Sequence, residues 1–113
     1  MQLKPETLRK IVVTIPVIAK PEKIEASGEL LDLYVLDDIT LTLREDGSLY
    51  GLIFDVLSKD FVVLSDGTLL IGDISGKTEP SVVADPEVIN LIEEFIDWRM
   101  RLVSLLESRH ALS

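Results

Sequence analysis

The chain has 113 residues, of which 47% are apolar, which suits one domain with an aliphatic core and argues against intrinsic disorder. Its formal net charge of −9 makes nucleic acid and anionic membrane surfaces poor default partners. The sequence contains no cysteine, which excludes disulfides, thiolate nucleophiles and thiolate metal sites.

The N-terminal part, residues 1–29, is predicted to be a basic arm with one strand. Residues 5–10 predict one helical turn, and the β-branched stretch 11–18 predicts a strand with Pro16 at an edge or a bulge. Residues 20–28 predict a connector. The first 23 residues carry a local charge of +3 from five cations, namely Lys4, Arg9, Lys10, Lys20 and Lys23. This arm could bind the acidic body of the chain or of a neighbour, or it could be a solvated terminus.

Residues 30–75 predict an antiparallel β-meander. Asp46-Gly47 and Asp66-Gly67 predict tight turns between apolar runs. The strands are expected at residues 30–36, 39–44, 49–57, 61–64 and 68–74. Because strand 49–57 is apolar on both faces, we expect both faces of the sheet to be covered, by closure of a barrel or by the C-terminal helix.

Residues 85–110 predict a long amphipathic helix with two apolar rows, which begins at Asp85-Pro86-Glu87. The first row is Val88, Leu91, Phe95, Trp98, Leu102 and Leu105. The second row is Ile89, Ile92, Ile96, Val103 and Leu106. One row is enough to cover the core of a small domain, so the other is predicted to contact another subunit. The predicted contact residues are Leu102, Val103, Leu105 and Leu106, joined by Trp98 if it faces outward, although core packing is the expectation for that ring.

We predict no catalytic, cofactor-binding or metal-binding residues. Residues 72–78 resemble a phosphate-binding loop, but Ile71 stands where its first glycine belongs and Pro80 follows where a helix should begin. Four acidic residues could form a ligand or metal site between chains, although turn and structural roles are favoured for them: Asp32, Asp37, Asp38 and Asp55.

Residues 43–73 resemble the Sm-like family of small barrels. The similarity consists of Asp46-Gly47, Gly51, the segment Val62–Asp66 and the segment Gly67–Asp73. Residues 46–56 also look like a PRC-barrel hairpin. The Sm-like resemblance implies oligomerisation through strand edges, and it implies that the family's RNA pocket is absent, because Leu57, Phe61 and Ile71-Gly72 occupy its positions.

The sequence therefore predicts an α+β fold, with a small curled antiparallel sheet or an SH3-like barrel and a long C-terminal helix. The expected function is a non-catalytic module that self-associates, most simply as a dimer, through the helix or the sheet edges. The alternatives are a barrel that binds RNA or DNA through the basic arm, and a subunit with an acidic site between chains. No signal peptide or spanning segment is recognised, so a cytoplasmic location is expected, and the scarcity of Asn and Gln is typical of thermophilic proteins.

Overall fold

Seven antiparallel strands form one sheet in the computed structural model, which describes residues 2–73 and 79–112 and their side chains through residue 107, apart from Asp73. The helices and strands are α1 Pro5–Ile18, β1 Glu22–Ala26, β2 Glu29–Leu36, β3 Ile39–Arg44, β4 Leu49–Val56, β5 Lys59–Leu64, β6 Leu69–Asp73, β7 Ser81–Val82 and α2 Pro86–Leu112. Each strand pairs with its neighbours in sequence, and the described strands leave β1 and β7 as edges, so the sheet is not closed. The predicted α+β fold with a curled antiparallel sheet and a C-terminal helix is confirmed. Residues 74–78, which hold most of the segment compared with a phosphate-binding loop, lie outside the described part of the chain.

The two Asp-Gly turns of the meander are confirmed. Asp46 Oδ1 accepts hydrogen bonds from the amide of Ser48 at 2.9 Å and from its hydroxyl at 2.6 Å. Asp66 Oδ1 accepts one from the amide of Thr68 at 2.9 Å. These bonds favour the charged carboxylates and hold the pKa values of both aspartates below their ordinary value.

The N-terminal region differs from the prediction. Residues 11–18 are not a strand but the larger part of α1, which begins at Pro5 and has Pro16 in its last turn. Ile11 and Ile15 lie one turn apart and are both buried, so packing of this helical stripe overrides the strand preference of β-branched residues. The predicted connector at residues 20–28 instead contains β1, which pairs with β2 through a turn at Ser27-Gly28.

Both helices pack on the same face of the sheet. The inner face contributes the ring of Phe54, whose centroid lies 5.4 Å from that of Phe61 and 5.8 Å from that of Phe95 on α2. The same core contains Ile11 and Ile15 of α1. The prediction that both faces are covered is therefore wrong for the described residues of a single chain, because α2 and α1 share one face.

α2 also holds the beginning of α1. Asp85 caps α2 by accepting the amide of Glu87 at 2.9 Å, as predicted. Lys4 is the N-cap of α1 but supplies no side-chain bond. Glu93 Oε2 replaces that cap, since it accepts the amide of Lys4 at 2.8 Å and the hydroxyl of Thr7 at 3.2 Å. A carboxylate at this position accepts a hydrogen bond from a free amide, and its negative charge interacts favourably with the positive end of the helix dipole.

Replacing Glu93 by alanine should lower the free energy of unfolding by about 1–2 kcal/mol, because the Lys4 amide and the Thr7 hydroxyl then lose their carboxylate acceptor. Urea denaturation followed by circular dichroism measures this change. The matched control is Glu94→Ala, an exposed neighbour on the same helix, which should stay within about 0.5 kcal/mol of the wild type. Equal losses in the two variants would contradict the capping role of Glu93.

Candidate interaction surface

The first row of α2 forms an apolar strip on the outside of the molecule. Leu91, Trp98 and Leu105 are 58%, 53% and 50% exposed. Phe95 and Leu102 lie between them and are half-buried. These five residues are spaced four, three, four and three positions apart, the interval of a seam between two packed helices. The strip is therefore continuous along about four turns of α2.

The second row is mostly buried, because it packs in the core of its own chain. Ile89, Ile92 and Ile96 are buried, and so is Met100 one turn further on. Val103, predicted as a contact residue, is only 8% exposed and is not available to a partner. Leu106 is the exception in this row, since it is exposed near the C-terminal end of α2.

Trp98 lies at the centre of the strip. The expectation that its ring packs in the core is wrong, since about half of the residue is exposed. Its ring is tilted against that of Phe95, with 6.4 Å between centroids. Phe95 in turn stacks on Phe54 in the core. Trp98 is thus a solvent-facing aromatic residue supported from beneath by other rings, which is the setting of an interface anchor.

Arg99 fixes the strip relative to the sheet. Its side chain is largely buried, and Nη2 lies 2.9 Å from Asp38 Oδ1 and 3.5 Å from Asp37 Oδ2. This ion pair ties α2 to the turn between β2 and β3. Sequence reasoning missed it, because the partners lie 61 residues apart and no local pattern joins them.

The acidic residues considered as a ligand site do not come together. Asp37 and Asp38 face Arg99, and Asp32 lies 2.5 Å from the amine of Lys23. Asp55 projects from the sheet face opposite the helices, across from Asp60. Among the residues that the structure describes, no three acidic, histidine or cysteine side chains are placed to hold a metal ion.

The cations of the basic arm are spread over two elements and partly neutralised. α1 carries Arg9 and Lys10, with Lys4 at its cap, and Lys20 follows the helix. Lys10 pairs with Asp97 of α2, which holds the pKa of that carboxyl below its ordinary value. Lys23 on β1 pairs with Asp32, which raises the pKa of the amine. The nucleic-acid alternative stays a prediction, tested by RNA binding that weakens steeply with salt.

Two cavities of the described residues lie beside α2. The small cavity between α1, α2 and the sheet has a volume of about 10 Å³, and its wall includes Ile11, Phe54 and Phe95. A ligand pocket usually has about 300–1,000 Å³. The open groove between the helices measures about 510 Å³, but two of its charged groups, Lys10 and Asp97, neutralise each other.

A search of the helices in the described residues for an apolar segment of membrane-spanning length found none. The chain matches no protein-family model, no curated protein and no solved structure.

Proposed function

We propose that the chain is a non-catalytic assembly module that binds a second copy of itself through the first row of α2. The observation that carries this proposal is the exposed strip from Leu91 to Leu105 with Trp98 at its centre. Leaving this much apolar surface in water is unfavourable, by about 25 cal/mol for each Å². A partner that covers the strip removes that cost.

The order of residues along the strip favours a two-fold symmetric contact between antiparallel helices. A two-fold axis between residues 96 and 97 places Phe95 over Trp98 of the second copy. The same axis places Leu91 over Leu102 of that copy, so leucines meet at both ends. Glu94 and Arg101 flank the strip and fall close to each other across the axis, as opposite charges. A self-complementary patch of this kind is what a symmetric dimer requires.

The edges of the sheet support self-association less well. β7 contains only two residues, and three of the five residues of β1 are charged, namely Glu22, Lys23 and Glu25. Short and charged edge strands are the usual protection against edge-to-edge pairing. The strip on α2 is therefore the favoured route of assembly.

Sedimentation velocity tests this proposal by comparing the wild type with a variant that carries Trp98→Lys and Leu105→Lys. Both positions are exposed, so the variant should fold, and the two charges should weaken self-association at least tenfold. Ser104→Lys is the matched control, because it adds charge to an exposed position of α2 outside the strip. Val103 is unsuitable for such a test, since a charge at this buried position would disrupt the core.

Fluorescence gives an independent readout, because Trp98 is the only tryptophan of the chain. Dilution of the wild type should shift its emission to longer wavelength as the ring becomes exposed to water. A wild type that sediments as a monomer at micromolar concentration, with emission independent of dilution, would refute the proposal.

A further inference from the structure

The sheet face that points away from both helices carries a row of six residues across six strands, all apolar except one threonine. The registered pairs place one residue of each strand from β2 to β7 side by side, and we call them the sheet row: Val35, Thr40, Ile53, Val62, Leu70 and Val82. Three of them, Val35, Ile53 and Val82, are exposed. A sheet face in contact with water normally carries polar side chains at such positions. The sheet row therefore has the composition of a covered surface.

Gly51 makes a depression beside this row. It pairs with Thr42 and Leu64 on the neighbouring strands, in the next row along the same face. Its φ is not in the left-handed region, and an added Cβ would meet only the carbonyl oxygen of Val63, at 3.9 Å. Nothing around it within the described chain requires glycine, which weakens a strand. Glycine inside a strand often marks the close approach of another molecule.

Charges of opposite sign lie at the two ends of this face. At one end Asp55 stands directly across from Asp60, and Asp55 Oδ1 is buried without a hydrogen-bond donor among the described residues. At the other end Arg44 stacks over the ring of Tyr50 at 5.2 Å. Arg44 also contacts Glu29 at 3.4 Å. Arg44 Nη1 also donates to the carbonyl of Leu49 at 2.8 Å, which leaves some of the five N–H groups of its guanidinium for an acceptor outside the chain.

We propose that this face packs against the same face of a second copy, about a two-fold axis that runs parallel to the sheet row. This rotation exchanges the two ends of the face, so the Arg44 of each copy approaches the Asp55 of the other. Ile53 of each copy then fills the depression at Gly51 of the other. Two sheets about 10 Å apart, with aligned strands, form the core of a β-sandwich, which here is shared between two chains.

The contact uses a surface separate from the first row of α2, so it extends the proposed self-association without depending on it. Six strands about 4.8 Å apart span about 24 Å, and a height of about 17 Å gives a patch of at most about 400 Å² on each copy, since β7 has only two residues. The total of about 800 Å² on the two copies is below the roughly 1,200 Å² of stable interfaces, so this is a weak contact and we expect a dissociation constant in the micromolar range or above. A chain with two different symmetric contacts assembles beyond a dimer, into closed tetramers or open filaments.

Light scattering coupled to gel filtration tests the contact at about 200 μM, well above micromolar dissociation constants. The wild type should have the mass of four or more copies. Gly51→Val should reduce this mass to a dimer, because the added side chain fits within the chain but occupies the space for Ile53. Ile53→Lys should do the same by placing a charge in the apolar contact. Leu57→Lys, on the exposed turn after β4, is the control and should keep the wild-type mass.

The outcomes separate this contact from the one on α2. Unchanged mass in both Gly51→Val and Ile53→Lys, with a reduced mass in the Trp98→Lys and Leu105→Lys variant, would overturn the sheet contact alone. A reduced mass in Gly51→Val and Ile53→Lys, with an unchanged mass in the Trp98→Lys and Leu105→Lys variant, would support the sheet contact and overturn the one on α2. A monomeric wild type at this concentration would overturn both. Circular dichroism confirms that each variant is folded, and Gly51→Val should be at least as stable as the wild type, since valine favours strands.

Discussion

Replacing Phe54 by alanine should lower the free energy of unfolding by about 3–5 kcal/mol, the largest loss we expect from a single truncation in this chain. Phe54 is 1% exposed, and its ring joins the sheet to α2 by stacking on both Phe61 and Phe95. Alanine leaves a cavity where those two rings lose their common contact. A domain of this size has a total stability of about 5–15 kcal/mol, so the variant should fold but unfold at much lower urea.

The control for this truncation is Leu57→Ala, at a position in the next turn that is 93% exposed. It removes a similar apolar side chain that buries almost nothing, so its free energy of unfolding should change by no more than about 0.5 kcal/mol. Both variants are measured below the concentrations at which copies associate, so that folding alone is compared. A loss below about 1 kcal/mol for Phe54→Ala would contradict the central role of this stack.

Local sequence patterns were sufficient to predict those features that depend on contacts between neighbouring residues in the chain. The Asp46-Gly47 and Asp66-Gly67 turns could be predicted because each aspartate bonds two residues ahead and glycine accepts the positive φ. The start of α2 could be predicted for the same kind of reason, since Asp85 caps its own helix. These signals depend on only a few adjacent residues.

Long-range contacts account for the features that sequence patterns did not reveal. The two rows of α2 look alike in sequence, and only the position of the sheet and α1 decides that Ile92 is buried and Leu91 exposed. Trp98 faces water for the same reason. The sequence did indicate that strand 49–57 is apolar on both faces, but it could not reveal that both helices cover the same one.

The first turns of the chain illustrate how two periodicities can compete in one segment. Residues 11–18 are β-branched apart from Pro16, which predicted a strand, and a strand would place Ile11, Val13, Ile15 and Val17 on one face. Yet the same segment also places Ile11 and Ile15 one helical turn apart. The helix is the observed conformation because Ile11 and Ile15 fill the core beside α2, while Val13 and Val17 are left exposed.

Truncation of these residues distinguishes the two conformations in solution. Ile15 is fully buried, so Ile15→Ala should lower the free energy of unfolding by about 2–5 kcal/mol. Val13 is 61% exposed, so Val13→Ala should be within about 0.5 kcal/mol of the wild type, or slightly more stable, because alanine favours helices. A strand would place both residues on the same face and make both truncations costly. Similar large losses in the two variants, measured by urea denaturation, would therefore mean that α1 is not the conformation of this segment.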